Sequence, residues 1–139
     1  MRAERYGHVV SLLLCDLDNF KKINDQYGHH VGDLVIHSVG KTIAACIRKN
    51  LDIPVRYGGE EFVILLPVTS LESAKIVGEK IRSHIENLRI VYKEATITIT
   101  ASIGISSSSE GIFMPHELLG KADEKLYAAK EKGKNQVEI

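Results

Sequence analysis

Apolar residues fall in runs whose spacing changes along the chain, and the spacing predicts the elements. Val9 to Cys15 reads VVSLLLC, a continuous β-rich run suited to a central strand. It stops at Asp16-Leu17-Asp18. In Asn19–Tyr27 the apolar residues Phe20, Ile23 and Tyr27 recur at helical spacing, and Gly28 ends that helix. From His30 to Lys49 the set Val31, Leu34, Val35, Val39, Ile43, Cys46 and Ile47 predicts a longer one. Ile53–Tyr57 and Glu61–Leu66 flank Gly58-Gly59, a hairpin signal. FVILL is apolar on both alternations, so its strand is expected to be covered on both faces. Ser70–Asn87 is an amphipathic helix carrying Leu71, Ala74, Val77, Ile81 and Ile85. Thr96–Ile105 alternates strictly and predicts one strand with a single buried face; Ile90–Tyr92 could pair with it across Lys93-Glu94. Ser106–Gly111 reads as a loop. Pro115 opens a last helix with Leu118, Leu119, Ala122, Leu126 and Ala129 inside, Gly133 closes it, and Gln136–Ile139 can form a short final strand.

The order β-α-α-β-β-α-(β)-β-α-β, with no linker or repeat, predicts one α+β domain with a mixed sheet and helices on its faces. The length of 139 residues fits a single domain, and 44% hydrophobic against 26% charged residues excludes a disordered chain. No apolar stretch is long enough to span a bilayer and no signal-peptide pattern is present, so a soluble, untargeted domain is expected. Eighteen Lys and Arg balance eighteen Asp and Glu. That neutrality disfavours a grip on long nucleic acid but leaves room for a single nucleotide held by a few charges. Cys15 and Cys46 have no ligand spacing and read as small core residues in a reducing compartment. His29 and His30 are adjacent and point apart, and the other histidines are isolated, so none suggests a metal pair.

The chemistry lies in acids at strand ends. Asp16 and Asp18 follow the first strand, and Glu60 and Glu61 stand at the glycine turn. If the two strands are neighbours, Asp16 and one glutamate meet at the same edge. Two readings fit: a solvated turn with a polar strand cap, or crowded carboxylates neutralised by a hard cation such as Mg²⁺, which takes its remaining ligands from water and substrate phosphates. Beyond Asp18, NFKKIND opens a helix whose free N–H groups make a natural phosphate seat. Lys130, Lys132 and Lys134 around Gly133 could reach the same phosphates, or serve only as cations at a helix C-terminus.

RYGGEEF at Arg56–Phe62 resembles the signature of the GGDEF domain, the catalytic domain of bacterial diguanylate cyclases. CDLDNFKKINDQYGHHVGD at Cys15–Asp33, TASIGIS at Thr100–Ser106 and ADEKLYAAKEKGKN at Ala122–Asn135 resemble the family's other blocks, in order and across nearly the whole chain. The resemblance implies a five-stranded mixed central sheet flanked by helices, palm- and nucleotide-cyclase-like (ferredoxin-like), and a single GGDEF catalytic domain over residues 1–139. It implies condensation of two GTP into cyclic di-GMP and two pyrophosphates across a homodimer. Asp16, the Leu17 carbonyl and Glu60 would hold Mg²⁺ (or Mn²⁺), and Glu61 would be a further ligand, the general base, or both. Asn19, Phe20, Lys21, Lys130 and Lys134 would meet the phosphates, and Asn24 and Asp33 would read guanine. A carboxylate accepts from guanine N1–H and N2–H, whereas adenine presents an acceptor at N1. GTP and reduced cysteines imply a cytoplasmic domain with no membrane contact of its own, although a parent protein could be anchored.

Three departures from the family pattern stand out. The usual D-x-L-T-x-L-x-N-R segment is not present, Met1–Gly7 resembles the tail of its helix, and a fragment of a longer sensor, weakly active alone, is expected. The inhibitory R-x-x-D register holds Lys49-Asn50-Leu51-Asp52, with Arg48 one place early. Lysine lacks the planar fork of arginine, so weak or absent product inhibition is expected from this degenerate Lys49/Asp52 site. Lys134 replaces the usual arginine. The rival readings are a silent GGDEF module that binds GTP or cyclic di-GMP, a plain dimerisation domain, and another nucleotide cyclase or palm-type polymerase. The intact acids, the missing inhibitory arginine and Asp33 favour the cyclase over each.

Overall fold

The computed structural model describes residues 8–111 and 114–139; Met1–Gly7, read above as a helix tail, lies outside them. The apolar run forms β1 (Val10–Leu17). Helices α1 (Phe20–Tyr27) and α2 (His29–Cys46) follow, then β2 (Ile53–Arg56) and β3 (Glu61–Pro67). Next come α3 (Leu71–Glu86), β4 (Ile90–Tyr92), β5 (Ala95–Ile97) and β6 (Ala101–Ser107). The chain ends with α4 (Pro115–Glu131) and β7 (Val137–Glu138). The main sheet has the order β2-β3-β1-β6-β7, antiparallel except for the β6–β7 pair. This is the α+β fold with a five-stranded mixed central sheet. No helix among the described residues is long and apolar enough to cross a membrane.

Strand alternation sorts β1 between two cores. Leu13, Cys15 and Leu17 face the larger one under α1, α2 and α3, with Val35, Val39, Ile43, Ile81 and Ile85. Leu12 and Leu14 face the smaller one under α4, with Leu118, Ala122 and Leu126. Asp16 continues the Leu12–Leu14 alternation, so its side chain emerges on the α4 face at the strand's end. Cys15 and Cys46 are buried free thiols, and burial pushes Cys15 up to about 12.

Five expectations need correction. Helix α2 stops at Cys46 rather than Lys49, because Ile47 turns extended and the Arg48 N–H donates to the Asp52 carboxylate at 2.7 Å. The alternating segment is two strands: β5 pairs with β4 in a separate ribbon, and after residues 98–100 β6 joins the main sheet. β6 is buried on both faces, with Ala101, Ile103 and Ile105 toward the larger core. Ser102, Gly104 and Ser106 lie under α4, where Ser106 Oγ donates to the Leu118 carbonyl at 2.6 Å. A Cβ at Gly104 would run into the Ala122 carbonyl and the Leu126 amide, so the small residues admit the helix rather than face water. The strand also runs on to Ser107, and Ser108–Glu110 form a capped 3₁₀ turn within the expected loop. Finally, β3 is only half covered on its second face, where Val63 and Leu65 flank α4 and their β2 partners Val55 and Ile53 are exposed.

Candidate active site

The β1–β3 ladder sets Asp16 opposite Glu61, so the acids that end one strand and begin the next share a sheet edge on the α4 face. Glu60 belongs to the preceding turn, and its carbonyl accepts the Leu17 N–H at 3.2 Å. The turn is closed by the Tyr57 N–H donating to the Glu61 carbonyl at 2.8 Å, and the Arg56 guanidinium braces it on the Gly58 and Gly59 carbonyls. Lys130 of α4 approaches Asp16 Oδ2 at 3.6 Å, while Asp16 Oδ1 is buried with no hydrogen-bond partner among the described residues. Burial, opposed by Lys130 and reinforced by Glu60 and Glu61, pushes the Asp16 carboxyl up to about 6. Burial, with Asp123 and Glu60 nearby, also raises Glu61. This edge is short of positive charge.

A divalent cation fits that deficit. An orphaned buried carboxylate oxygen beside two more carboxylates and strand-end carbonyls is a hard-oxygen donor set. Among the described residues no three acidic, His or Cys side chains close a cage by themselves.

Asp18, which sequence reasoning left without a role, is the most heavily bonded acid of the site. It is buried and accepts from Thr100 Oγ1 (2.7 Å), Ser102 Oγ (2.7 Å), Lys130 Nζ (2.7 Å) and the Asn135 N–H (3.0 Å). Burial alone would raise it, but the bonds from Lys130, Ser102 and Thr100 hold it below the ordinary carboxylate range. The only signal for it in the sequence was its place beside Asp16, since its partners lie more than eighty residues away.

Asn19 takes a left-handed conformation (φ 57°, ψ 30°) and opens α1, where Phe20 and Lys21 are the first helical residues and their N–H groups have no intrahelical acceptor. Lys134 Nζ donates to Asn19 Oδ1 at 2.9 Å, bringing the C-terminal turn to this loop. Thus Asn19, Phe20, Lys21, Lys130 and Lys134 gather around the end of β1. Beside them a cavity of about 350 Å³ is lined by Phe20, Lys21, Asn24, His29, Asp33, Ile36, Arg56, Gly59 and Glu60. Asn24 and Asp33 therefore share one pocket with Glu60. Asn24 Oδ1 is a second buried oxygen with no partner among the described residues, held against Gly32, whose missing side chain leaves it room.

Lys49 and Asp52 are not drawn into this cluster. Lys49 is exposed, whereas Asp52 turns inward with its side chain 2% exposed, taken by Arg48 through Nη2 (2.6 Å) and Nε. Arg48 Nη2 also reaches the Pro67 carbonyl and Thr69 Oγ1, so the pair staples the α2–β2 turn to the end of β3.

A family model described as Diguanylate cyclase, GGDEF domain, matches residues 1–136. The chain belongs to the GGDEF family. It is 42% identical over 130 residues to Diguanylate cyclase A of Treponema denticola, covering 94% of this chain and 35% of the relative. It is 41% identical over 138 residues to the response regulator PleD of Caulobacter vibrioides, covering 98% of this chain and 30% of the relative. The chain thus spans about a third of the length of these curated relatives. Among solved structures, the active GGEEF domain of a diguanylate cyclase from Vibrio cholerae matches with a TM-score of 0.91 and 35% identity, over 99% of this chain and 86% of that one. The GGDEF domain of DgcB from Caulobacter crescentus, solved in complex with c-di-GMP, matches with a TM-score of 0.91 and 31% identity, over 99% and 81%.

Proposed function

We propose that this GGDEF domain is a diguanylate cyclase that joins two GTP into cyclic di-GMP and releases two pyrophosphates. The observation that carries the proposal is the register of Asp16 against Glu61, which adjoins both the α1 phosphate seat and the Asn24–Asp33 cavity. Asp33 and Asn24 bind the guanine edge, with the orphaned Asn24 Oδ1 an acceptor in reserve for a base N–H. The Phe20 and Lys21 N–H groups, with Lys21, Lys130 and Lys134, hold the triphosphate. Asp16, the Leu17 carbonyl and Glu60 would hold Mg²⁺ or Mn²⁺, which when bound supplies charge neutralisation on the triphosphate. Glu61 takes the proton of the 3′-hydroxyl as its oxygen bonds to the α-phosphorus of the other GTP and the bond to the leaving pyrophosphate breaks. Its raised pKa suits it to that task, and a role as a further metal ligand is compatible with it.

Among the described residues one copy offers one Asn24–Asp33 cavity and one acid edge, whereas the product contains two equivalent linkages. The reaction therefore takes two copies related by a two-fold axis, each attacking the GTP held by the other. The test is incubation with GTP or ATP and Mg²⁺, with the domain alone and fused to a leucine zipper. Cyclic di-GMP made from GTP only, and faster in the fusion, supports the proposal. GTP bound by the fusion without any product would instead identify a silent regulatory module.

A further inference from the structure

The two lysines assigned to the phosphates reach the site from the far end of the chain, and neither is free-standing. Lys130 lies in the last turn of α4 and Lys134 in the turn beyond it. That turn is conformationally unusual: Lys134 and Asn135 are both left-handed, with φ of 66° and 49°. Runs of such residues are held by surrounding bonds rather than by intrinsic preference.

The bonds that hold it converge on one carboxylate. Asp18 Oδ1 accepts from Lys130 Nζ at 2.7 Å, and Asp18 Oδ2 accepts from the Asn135 N–H at 3.0 Å, across 112 and 117 residues of sequence. Ser102 and Thr100 fill its remaining acceptor positions, at 2.7 Å each. The Asn135 side chain fastens the turn from the other side, donating to Glu86 Oε2 at 2.7 Å and accepting from Arg82 at 2.9 Å. We propose that Asp18 is the positioning residue of the phosphate-facing cations: it fixes Lys130 directly and pins the turn that carries Lys134.

The arrangement also settles a competition. Lys130 stands between two carboxylates, at 2.7 Å from Asp18 and 3.6 Å from Asp16. By taking the short bond, Asp18 holds the ammonium 3.6 Å from Asp16 Oδ2 and keeps it from closing further on that carboxylate. Without Asp18, the nearest anion for Lys130 is Asp16 itself, and one side chain of the site would block another. Asparagine cannot replace it, because four donors converge on two oxygens and an amide presents one oxygen and an NH2 group that only donates.

This inference rests on the reading that the site holds a nucleoside triphosphate. The test compares binding of GTP and of GMP, with Mg²⁺ present, by calorimetry in the wild type, Asp18→Asn and Lys130→Ala. Wild type is expected to bind GTP more tightly than GMP. Asp18→Asn is expected to lose about tenfold or more in GTP affinity, the scale of one charge-assisted bond. GMP, held through Asn24 and Asp33, should change less than about twofold. Adding Lys130→Ala to Asp18→Asn should cost much less than it does in the wild type, since the lysine is already misplaced. A merely structural loss would weaken both nucleotides together. If Asp18→Asn does not fold, Thr100→Val removes a single donor, and a smaller fall in the GTP:GMP ratio, about threefold, is expected. A folded Asp18→Asn or Thr100→Val with an unchanged ratio overturns the proposal. A wild type that binds GMP as tightly as GTP removes instead the triphosphate reading beneath it.

Discussion

Asp16 is held in an environment that favours its neutral form, and this makes Asp16→Asn an informative perturbation. Burial, with Glu60 and Glu61 nearby and Lys130 in partial opposition, raises its pKa from 3.8 to about 6. At 1.36 kcal/mol per unit this corresponds to an upper bound of about 3 kcal/mol. The side chain is 22% exposed, so solvent screening reduces the expected value to ~1–2 kcal/mol. A carboxyl whose pKa is higher folded than unfolded binds its proton more tightly in the native state. Its penalty is absent below the unfolded value of 3.8, grows as the pH rises through the window to about 6, and is complete above it. Asp16→Asn removes the charge while Lys130 keeps its closer partner Asp18. In urea unfolding with chelator at about pH 7.5, the variant should therefore be more stable than wild type by ~1–2 kcal/mol, and the gain should vanish near pH 4. Adding Mg²⁺ and GTP should reverse the order, because ligand stabilises only the chain that binds it. A variant less stable than wild type in chelator, or a gain that persists undiminished at low pH, would refute the reasoning.

Other outcomes follow from neighbouring contacts. Gly32→Ala puts a methyl group into Asn24, with Cγ at 3.0 Å, and against Phe20 Cζ at 3.2 Å; the GTP-over-ATP binding preference should fall by about tenfold despite the usual helix gain of Ala over Gly. Arg48→Ala leaves the Asp52 carboxylate buried with only the Arg48 backbone N–H, and urea unfolding should show a loss of ~2–4 kcal/mol. Arg48→Lys should recover only part of it, since the three side-chain bonds to Asp52 come from Nε and Nη2 of one planar fork. With Asp52 turned inward and Lys49 outside, calorimetry should detect no sub-micromolar binding of cyclic di-GMP at that turn; tight binding abolished by Lys49→Ala would contradict it.

What could be read from the sequence depended on how local each signal was. VVSLLLC and the Gly58-Gly59 hairpin lie in short windows that mark the strand ends, and once the strands are neighbours their register brings Asp16 and Glu61 to one edge. Thr96–Ile105 shows where such reasoning ends. Alternation is the same in a two-stranded ribbon and in a central strand, and the break at residues 98–100 is set by distant partners, with the Asp18 N–H donating to the Thr100 carbonyl at 2.8 Å. Ser102 looked solvent-facing because it is polar and Ser106 read as loop, yet small hydroxyls bonded to Asp18 and to the Leu118 carbonyl let α4 dock closely. Asp18 and the Arg48–Asp52 staple were missed for the same reason. A buried acid is recognised by its donors, and those of Asp18 come from β6, α4 and the last turn.

The central claim is that the edge formed by Asp16, Glu60 and Glu61 performs chemistry on GTP. It is tested most directly by incubating concentrated zipper-fused protein with GTP and Mg²⁺ and identifying the product by chromatography and mass. The wild type should yield cyclic di-GMP and pyrophosphate and Glu61→Ala neither, with GTP still bound by the variant. Full product formation by Glu61→Ala, or none by a wild type that binds GTP, would contradict it.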